Sequence, residues 1–131
     1  MEVRKEKEPI PQKKYALIAC LKGEDRYVLA DENGDLKSCN EEGINQLRYE
    51  ESLISFSSLE ETLRTRAKAR EGLHLLPPGS AESYVNKTIR EIIIGAAVFL
   101  GNPPRDKINF FTVPDKILDK FDWVFKGPSR S

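Results

Sequence analysis

The apolar positions of the chain are concentrated in one run near its C-terminal end. The segment Ile89 to Leu100, IREIIIGAAVFL, is the densest apolar stretch in the sequence. Side chains of this kind leave water when the chain folds, so we expect the segment to lie at the centre of the core. It belongs to a longer pattern over residues 80 to 100, amphipathic in its first half and apolar on all sides in its second.

This pattern predicts a helix that begins after Ser80 as N-cap and ends at Leu100, with Gly101 as the first residue beyond it. Burial on every side is expected for its second half. A strand over Glu91 to Leu100 is the alternative, because consecutive isoleucines also favour β structure. In a helix, Gly95 would cost ~1 kcal/mol but would permit a close neighbour.

Short alternating runs near the N-terminus predict a three-stranded antiparallel meander. Its strands are Tyr15 to Leu21, Arg26 to Ala30 and Leu36 to Cys39, and Asn33-Gly34 predicts a type I′ turn between the last two. Apolar residues fall on both faces of these strands, which indicates that the sheet is covered, at least in part, on both sides.

Counting residues across the two turns gives a register for the meander. It places Cys20 opposite Val28 and Val28 opposite Cys39, with Ile18 on the same face. Two strand spacings separate the cysteine Cα atoms by ~9.6 Å, whereas a disulfide needs less than about 7 Å. The register therefore predicts two free, partly buried thiols.

The rest of the chain carries helix and strand signals in alternation. Ser57 or Ser58 begins a predicted helix that runs to Glu71, with Gly72 as its C′ residue, and its apolar stripe is Leu59, Leu63 and Ala67. The remaining predicted elements are a helical turn over Glu41 to Gln46 after Asn40, a short strand at Leu53, Ile54 and Phe56, a strand over Ile108 to Val113, and a last helix from Pro114 to Phe125.

Together these elements predict a single α+β domain over residues 14 to 126. The domain has a small antiparallel sheet, made of the N-terminal meander and one or two later strands, packed with about three helices. Residues 1 to 13 alternate charges with prolines and predict a flexible tail, and residues 127 to 131 a frayed end.

Composition and charge narrow the classes of function. The 21 basic and 21 acidic side chains cancel, whereas general nucleic-acid binders carry a net basic field. No apolar run approaches the about 18 residues of a membrane span, and no hydrophobic segment follows the charged N-terminus as in a secretory signal. With two cysteines, this predicts a cytoplasmic protein with reduced thiols and no membrane partner.

Candidate chemistry is sparse. One histidine and two separated cysteines do not supply a zinc site, and no metal or other cofactor is predicted. Asp31, Asn33 and Asp35 have the spacing of a calcium loop, but Gly34 comes too early and a hairpin turn explains the same residues. Pairing of a cysteine with His74 is disfavoured because the cysteines lie mid-strand, so no catalytic residue is predicted.

Two groups of residues are candidates for binding. Arg66 and Arg70 lie on the leucine side of the helix over 57–71, where a guanidinium needs a carboxylate, a phosphate or a partner surface. With Arg64 and Lys68 they form a candidate anion- or partner-binding group.

The second group surrounds the tryptophan of the last helix. Trp123 projects away from the apolar stripe of that helix, near Lys116 and Lys120, and exposed tryptophan is a favoured anchor of protein interfaces. These three residues form a candidate partner-binding group.

The preferred hypothesis is a non-catalytic protein-binding module, such as an adaptor, an inhibitor, an immunity-type protein or a subunit. Its partner would be another protein or a second copy of the chain, since so apolar a helix could be covered by a homodimer. The alternative is a nucleic-acid or phosphate binder that uses the basic helix. A further alternative is an enzyme whose site assembles from residues distant in sequence.

Overall fold

A computed structural model describes residues 13–125 of the chain. The predicted tail, apart from Lys13, and the predicted frayed end lie outside this range. Within it the helices and strands follow one another in this order: β1 (Tyr15–Leu21), β2 (Tyr27–Asp31), β3 (Leu36–Cys39), α1 (Glu41–Tyr49), β4 (Leu53–Ile54), α2 (Phe56–Gly72), α3 (Ala81–Phe99), β5 (Ile108–Phe110) and α4 (Asp115–Lys120). Single 3-10 turns cover Arg105–Lys107 and Asp122–Phe125.

The strands form one five-stranded sheet around β1. Strand β2 pairs with β1 and β3 in antiparallel fashion, which confirms the meander. The other edge of β1 is shared: β4 pairs in parallel with its first two residues, and β5 pairs antiparallel with Ala19 to Leu21. The predicted fold class, a single α+β domain with a small, mainly antiparallel sheet and about three helices, is confirmed.

The predicted register is wrong by one residue in each hairpin. Tyr27, and not Val28, lies between the cysteines, opposite Cys20 in β1 and Cys39 in β3. In the first hairpin β1 ends at Leu21 as predicted, but β2 begins at Tyr27, one residue later than predicted, and a bulge follows Leu17. Because of the bulge, the consecutive residues Ile18 and Ala19 both join the main core cluster, and Cys20 lies on the opposite face from Ile18.

The second hairpin does not have the predicted type I′ turn. Only Gly34 has a positive φ, of 88°, and Asn33 does not. The Gly34 N–H donates to the Asp31 carbonyl, and the Asp31 N–H donates to the Asp35 carbonyl. This is a three-residue loop with a left-handed glycine, which shifts the pairing by one position relative to a two-residue turn.

The main core lies between the sheet and two helices. Helix α2 contacts β1, α3 contacts β2 and β3, and the two helices contact each other. The other face of the sheet is covered in part by α1, whose Ile44 is buried. A Cβ atom at Gly43 of α1 would lie 2.9 Å from the Cys39 Cβ, so this glycine allows α1 to approach β3 closely.

Helix α3 confirms the helical prediction for the apolar run and excludes the strand alternative. Ile92, Ile93 and the two alanines that follow Gly95 are buried in the core, and Leu36 of β3 occupies the space beside Gly95. Burial on every side is wrong for the last turn, because Val98 and Phe99 are exposed there. The chain's own elements cover the centre of the run, so its apolarity does not by itself require a second copy.

Two predicted helix ends differ in detail. The Ser80 hydroxyl donates to the Pro77 carbonyl and makes no cap bond, and the Ala81 N–H donates instead to the Glu71 carboxylate. Gly72 is inside α2 and not its C′ residue; the left-handed residue after this helix is His74.

The start of α2 and the last predicted helix also differ from expectation. Ser55, and not Ser57 or Ser58, caps α2 by accepting from the Ser58 N–H, so Phe56 belongs to the helix and not to the strand before it. The last helix ends at Lys120 and continues as a 3-10 turn. No helix within residues 13–125 has both the length and the hydropathy needed to span a membrane.

Candidate binding surfaces

The basic side chains of α2 are bound to other parts of the chain. Arg64, with 23% of its side chain exposed, contacts carboxylates of Glu60 and Glu61 on its own helix. Its Nε also donates to Glu82 of α3 at 2.5 Å. Hydrogen bonds to Glu82 and Glu60 raise the pKa of Arg64 further, and the same guanidinium lowers the pKa of Glu82. Arg64 therefore joins two helices electrostatically.

Arg66 and Arg70 reach past the edge of the core. Arg66 Nη1 donates to the Glu32 carbonyl at 3.0 Å and to Asn33 Oδ1 at 2.9 Å, which ties α2 to the second hairpin. Arg70 Nη1 donates to the Tyr84 hydroxyl at 3.0 Å. These contacts account for arginines on the leucine side of the helix.

A polar pocket of about 270 Å³ lies beside these two arginines, lined also by Glu32, Asp35 and Tyr84. Its charges are mixed, since both carboxylates and guanidiniums face it. Lys68, the fourth member of the predicted anion-binding group, is exposed and does not line this pocket. The structure thus brings Arg66 and Arg70 together at one pocket and places Arg64 and Lys68 elsewhere on α2.

The two cysteines are free thiols in environments that disfavour the thiolate. Burial raises the pKa of the Cys20 thiol, an effect partly offset by a hydrogen bond with Asn109. Burial also raises the pKa of the Cys39 thiol, and Lys37 partly offsets it. His74 is exposed, in the left-handed conformation, after the end of α2. These thiols lack the lowered pKa that activates a cysteine nucleophile.

The carboxylate of Asp31 stabilises the turn of the second hairpin. Asp31 is buried, and its Oδ1 accepts from the N–H groups of Asn33 and Asp35 at 2.9 and 3.0 Å. Among residues 13–125, no group of three or more His, Cys, Asp or Glu side chains has the arrangement to hold a metal ion.

Trp123 lies on the surface of the 3-10 turn that follows α4. Its side chain is 56% exposed, and Lys116 and Lys120 of α4 are exposed as well. The residues around it are fixed: Phe121 and Phe125 are buried, and the Phe125 ring meets the Phe110 ring edge-on at 5.2 Å. The turn therefore presents the indole from a packed base.

An ion pair fixes the same turn from the other side. Arg105 Nη1 donates to Asp122 Oδ1 at 2.7 Å and lies 3.6 Å from Asp119 Oδ1 of α4. One guanidinium thus bridges α4 and the turn that carries Trp123.

A groove runs between α3 and the end of α4. It has a volume of about 330 Å³ and is lined by Ser83, Asn86, Lys87, Arg90, Lys120 and Phe121. The Lys120 ammonium lies 5.6 Å from the centre of the Phe121 ring. The groove borders the surface of α4 that carries the predicted partner-binding lysines.

No protein-family model, curated protein or solved structure matches this chain. The candidate surfaces therefore rest on the geometry of this chain alone.

Sequence reasoning identified Lys120 but missed the groove. Lys87 and Arg90 look like ordinary solvated charges on the polar side of an amphipathic helix. Their approach to Lys120 depends on how the 3-10 turn after α4 packs against α3, and these two segments are about 30 residues apart in the chain. The available signal was that positions 87 and 90 are one turn apart on the face opposite the apolar stripe.

Proposed function

We propose that this protein is a non-catalytic protein-binding module whose partner docks on the surface formed by Trp123, Lys116 and Lys120. The observation that carries the proposal is the exposed indole of Trp123 on a turn held by buried aromatic rings and an ion pair. A tryptophan buries a large apolar area in an interface and loses little conformational entropy there. Its fixed base reduces the ordering cost of binding.

The raised pKa values of both thiols argue against a cysteine nucleophile and so favour binding over cysteine-based catalysis. The phosphate-binding alternative on α2 has weaker support, because Arg64, Arg66 and Arg70 would have to exchange their contacts within the chain for contacts with a ligand. Binding to a second copy of the chain is the alternative identity of the protein partner.

Affinity capture from an extract of the cells that express the protein tests the proposal. Wild type is compared with Trp123→Ala and with Tyr49→Ala, a control that removes another exposed aromatic side chain from α1 on the opposite side of the sheet. We expect one protein that wild type and Tyr49→Ala retain equally and that Trp123→Ala loses by about tenfold or more, as for an interface hot spot.

Two results would oppose the proposal. One is that no protein depends on Trp123 for its capture, and the other is that both variants lose the same proteins. If the retained protein is the chain itself, sedimentation of the purified protein should show a dimer that Trp123→Ala weakens.

A further inference from the structure

The groove between α3 and α4 has one sign of charge. Lys87 and Arg90 enter it from α3 and Lys120 from α4, and no carboxylate belongs to its lining among the described residues. Lys116, one turn before Lys120, extends the same sign along α4. A groove of this kind attracts anions because cations converge on one cavity.

Three carboxylates near the groove in the sequence are paired with arginines elsewhere, whereas Glu91, which follows Arg90, is exposed and does not line the groove. Asp119 and Asp122, on either side of Lys120, contact Arg105. Glu82, which precedes Ser83, contacts Arg64. These ion pairs offset three of the nearby negative charges, and the charged side chains that line the groove itself are all cations.

The polar members of the lining indicate what kind of anion fits. The Asn86 amide can both donate and accept, and the Ser83 hydroxyl can do the same. Such groups suit the N–H and C=O groups of a peptide backbone, and the three cations suit the carboxylates of its side chains. Nucleic acid fits less well, since the chain as a whole has no net positive charge.

We infer that this groove binds an acidic segment of a partner protein, with glutamate or aspartate carboxylates on Lys87, Arg90 and Lys120. The inference rests on the proposed function and gives the chemistry of the partner. Trp123 follows Lys120 by three residues in the chain, so we expect one partner to contact both the groove and the indole. Charge then contributes specificity and rate of association, and the indole contributes buried apolar area.

NMR titration of the full chain with a blocked oligoglutamate peptide tests the inference. The expected result is a set of amide shift changes in α3 around Lys87 and Arg90 and in α4 around Lys120, and none from an oligoglutamine peptide of equal length. The affinity should fall steeply between about 0.1 M and 1 M salt, over which the Debye length shortens from ~10 Å to ~3 Å.

A matched pair of triple variants separates the groove from net charge. Lys87, Arg90 and Lys120 are changed to Gln in one protein, and the exposed Lys22, Arg48 and Lys107 in the other. Both lose three positive charges. We expect the first to bind oligoglutamate about tenfold more weakly, which is ~1.4 kcal/mol, and the second to bind nearly as wild type does.

The inference is overturned if the two triple variants weaken binding equally, if the shifts lie outside the groove, or if a short DNA duplex binds there more tightly than the peptide. Its failure is distinguishable from that of the proposed function. Capture that depends on Trp123 but not on the groove cations would leave the proposed function standing alone. If instead the peptide binds in the groove but capture does not depend on Trp123, the groove inference stands and the proposed docking on Trp123 fails.

Discussion

Two serines near the start of α2 differ in whether their hydroxyl groups have hydrogen-bond partners. Ser52 is 1% exposed, and its Oγ has no hydrogen-bond partner among the described residues. Ser55 Oγ accepts from the Ser58 N–H at 3.0 Å and caps the helix. A buried hydroxyl without a partner destabilises a fold, whereas an N-cap stabilises it.

Replacing each serine by alanine should therefore change stability in opposite directions. We expect Ser52→Ala to raise the free energy of unfolding by about 1 kcal/mol and Ser55→Ala to lower it by about 1 kcal/mol. Urea denaturation of the two variants and wild type measures both values. A loss of stability in Ser52→Ala would show that its hydroxyl has a partner.

The thiols predict a dependence of stability on alkaline pH. The pKa of both Cys20 and Cys39 is raised in the folded state, mainly by burial, so folding favours the protonated thiols. This contribution is full below the unfolded pKa of about 8.5 and is lost as the pH rises through the folded values.

Unfolding of wild type and of the Cys20→Ala, Cys39→Ala double variant, measured from neutral pH to about pH 10, tests this dependence. Wild type should lose stability more steeply above about pH 8.5 than the double variant. Parallel curves would mean that the thiol pKa values are not raised by folding.

At the residue scale, the sequence predicted that the cysteines share one row but not which residue separates them. Both hairpins are shifted by one residue, so the two errors cancel for Cys20 and Cys39 and fall on Val28 and Tyr27. The bulge beside Ile18 could not be predicted, because no glycine or turn motif marks it in the sequence. It allows the consecutive residues Ile18 and Ala19 both to pack in the core.

At the scale of elements, two helical glycines have contrasting surroundings. A Cβ at Gly43 would lie 2.9 Å from the Cys39 Cβ, an atom fixed to the backbone of β3, whereas a Cβ at Gly72 would meet nothing within 4 Å. Alanine favours a helix over glycine by up to about 1 kcal/mol.

Gly72→Ala should accordingly raise the free energy of unfolding by up to about 1 kcal/mol. Gly43→Ala should lower it, because α1 and β3 must separate to admit the added methyl group. Thermal denaturation of the two variants provides the comparison. Equal stabilisation by both would show that α1 does not pack closely on the sheet.

The longer elements were predictable because their apolar spacing coincides with the face that they bury. Leu59, Leu63 and Ala67 of α2 are all buried, as their spacing predicts. The ends were harder to predict, since they depend on contacts distant in sequence. The Ala81 N–H donates to the Glu71 carboxylate, and the Phe56 N–H donates to the Thr112 hydroxyl.

At the scale of the whole molecule, ion pairs divide the surface into neutralised and basic regions. Arg64 and Arg105 each contact at least two carboxylates, whereas the groove is lined by the cations Lys87, Arg90 and Lys120. The net charge of zero conceals this separation. Composition alone could predict the balance of charge but not its arrangement, which depends on the packing of α3 against the 3-10 turn that follows α4.

The candidate site was predictable only where it depends on one helix. The apolar stripe of residues 117, 118, 121 and 125 places Trp123 on the outside, and the structure confirms its exposure. The groove beside it needs tertiary structure. The proposed partner surface therefore combines a residue predicted from sequence with a cavity found only in the fold.

Photo-crosslinking from position 123 tests this surface most directly. A photoreactive phenylalanine analogue replaces Trp123 in one protein and Tyr49 in the other, and both are irradiated in an extract of the expressing cells. The proposed function predicts one discrete covalent adduct with another protein when the crosslinker is at position 123, and the absence of that adduct when it is at position 49. No discrete adduct from position 123, or the same adducts from both positions, would contradict it.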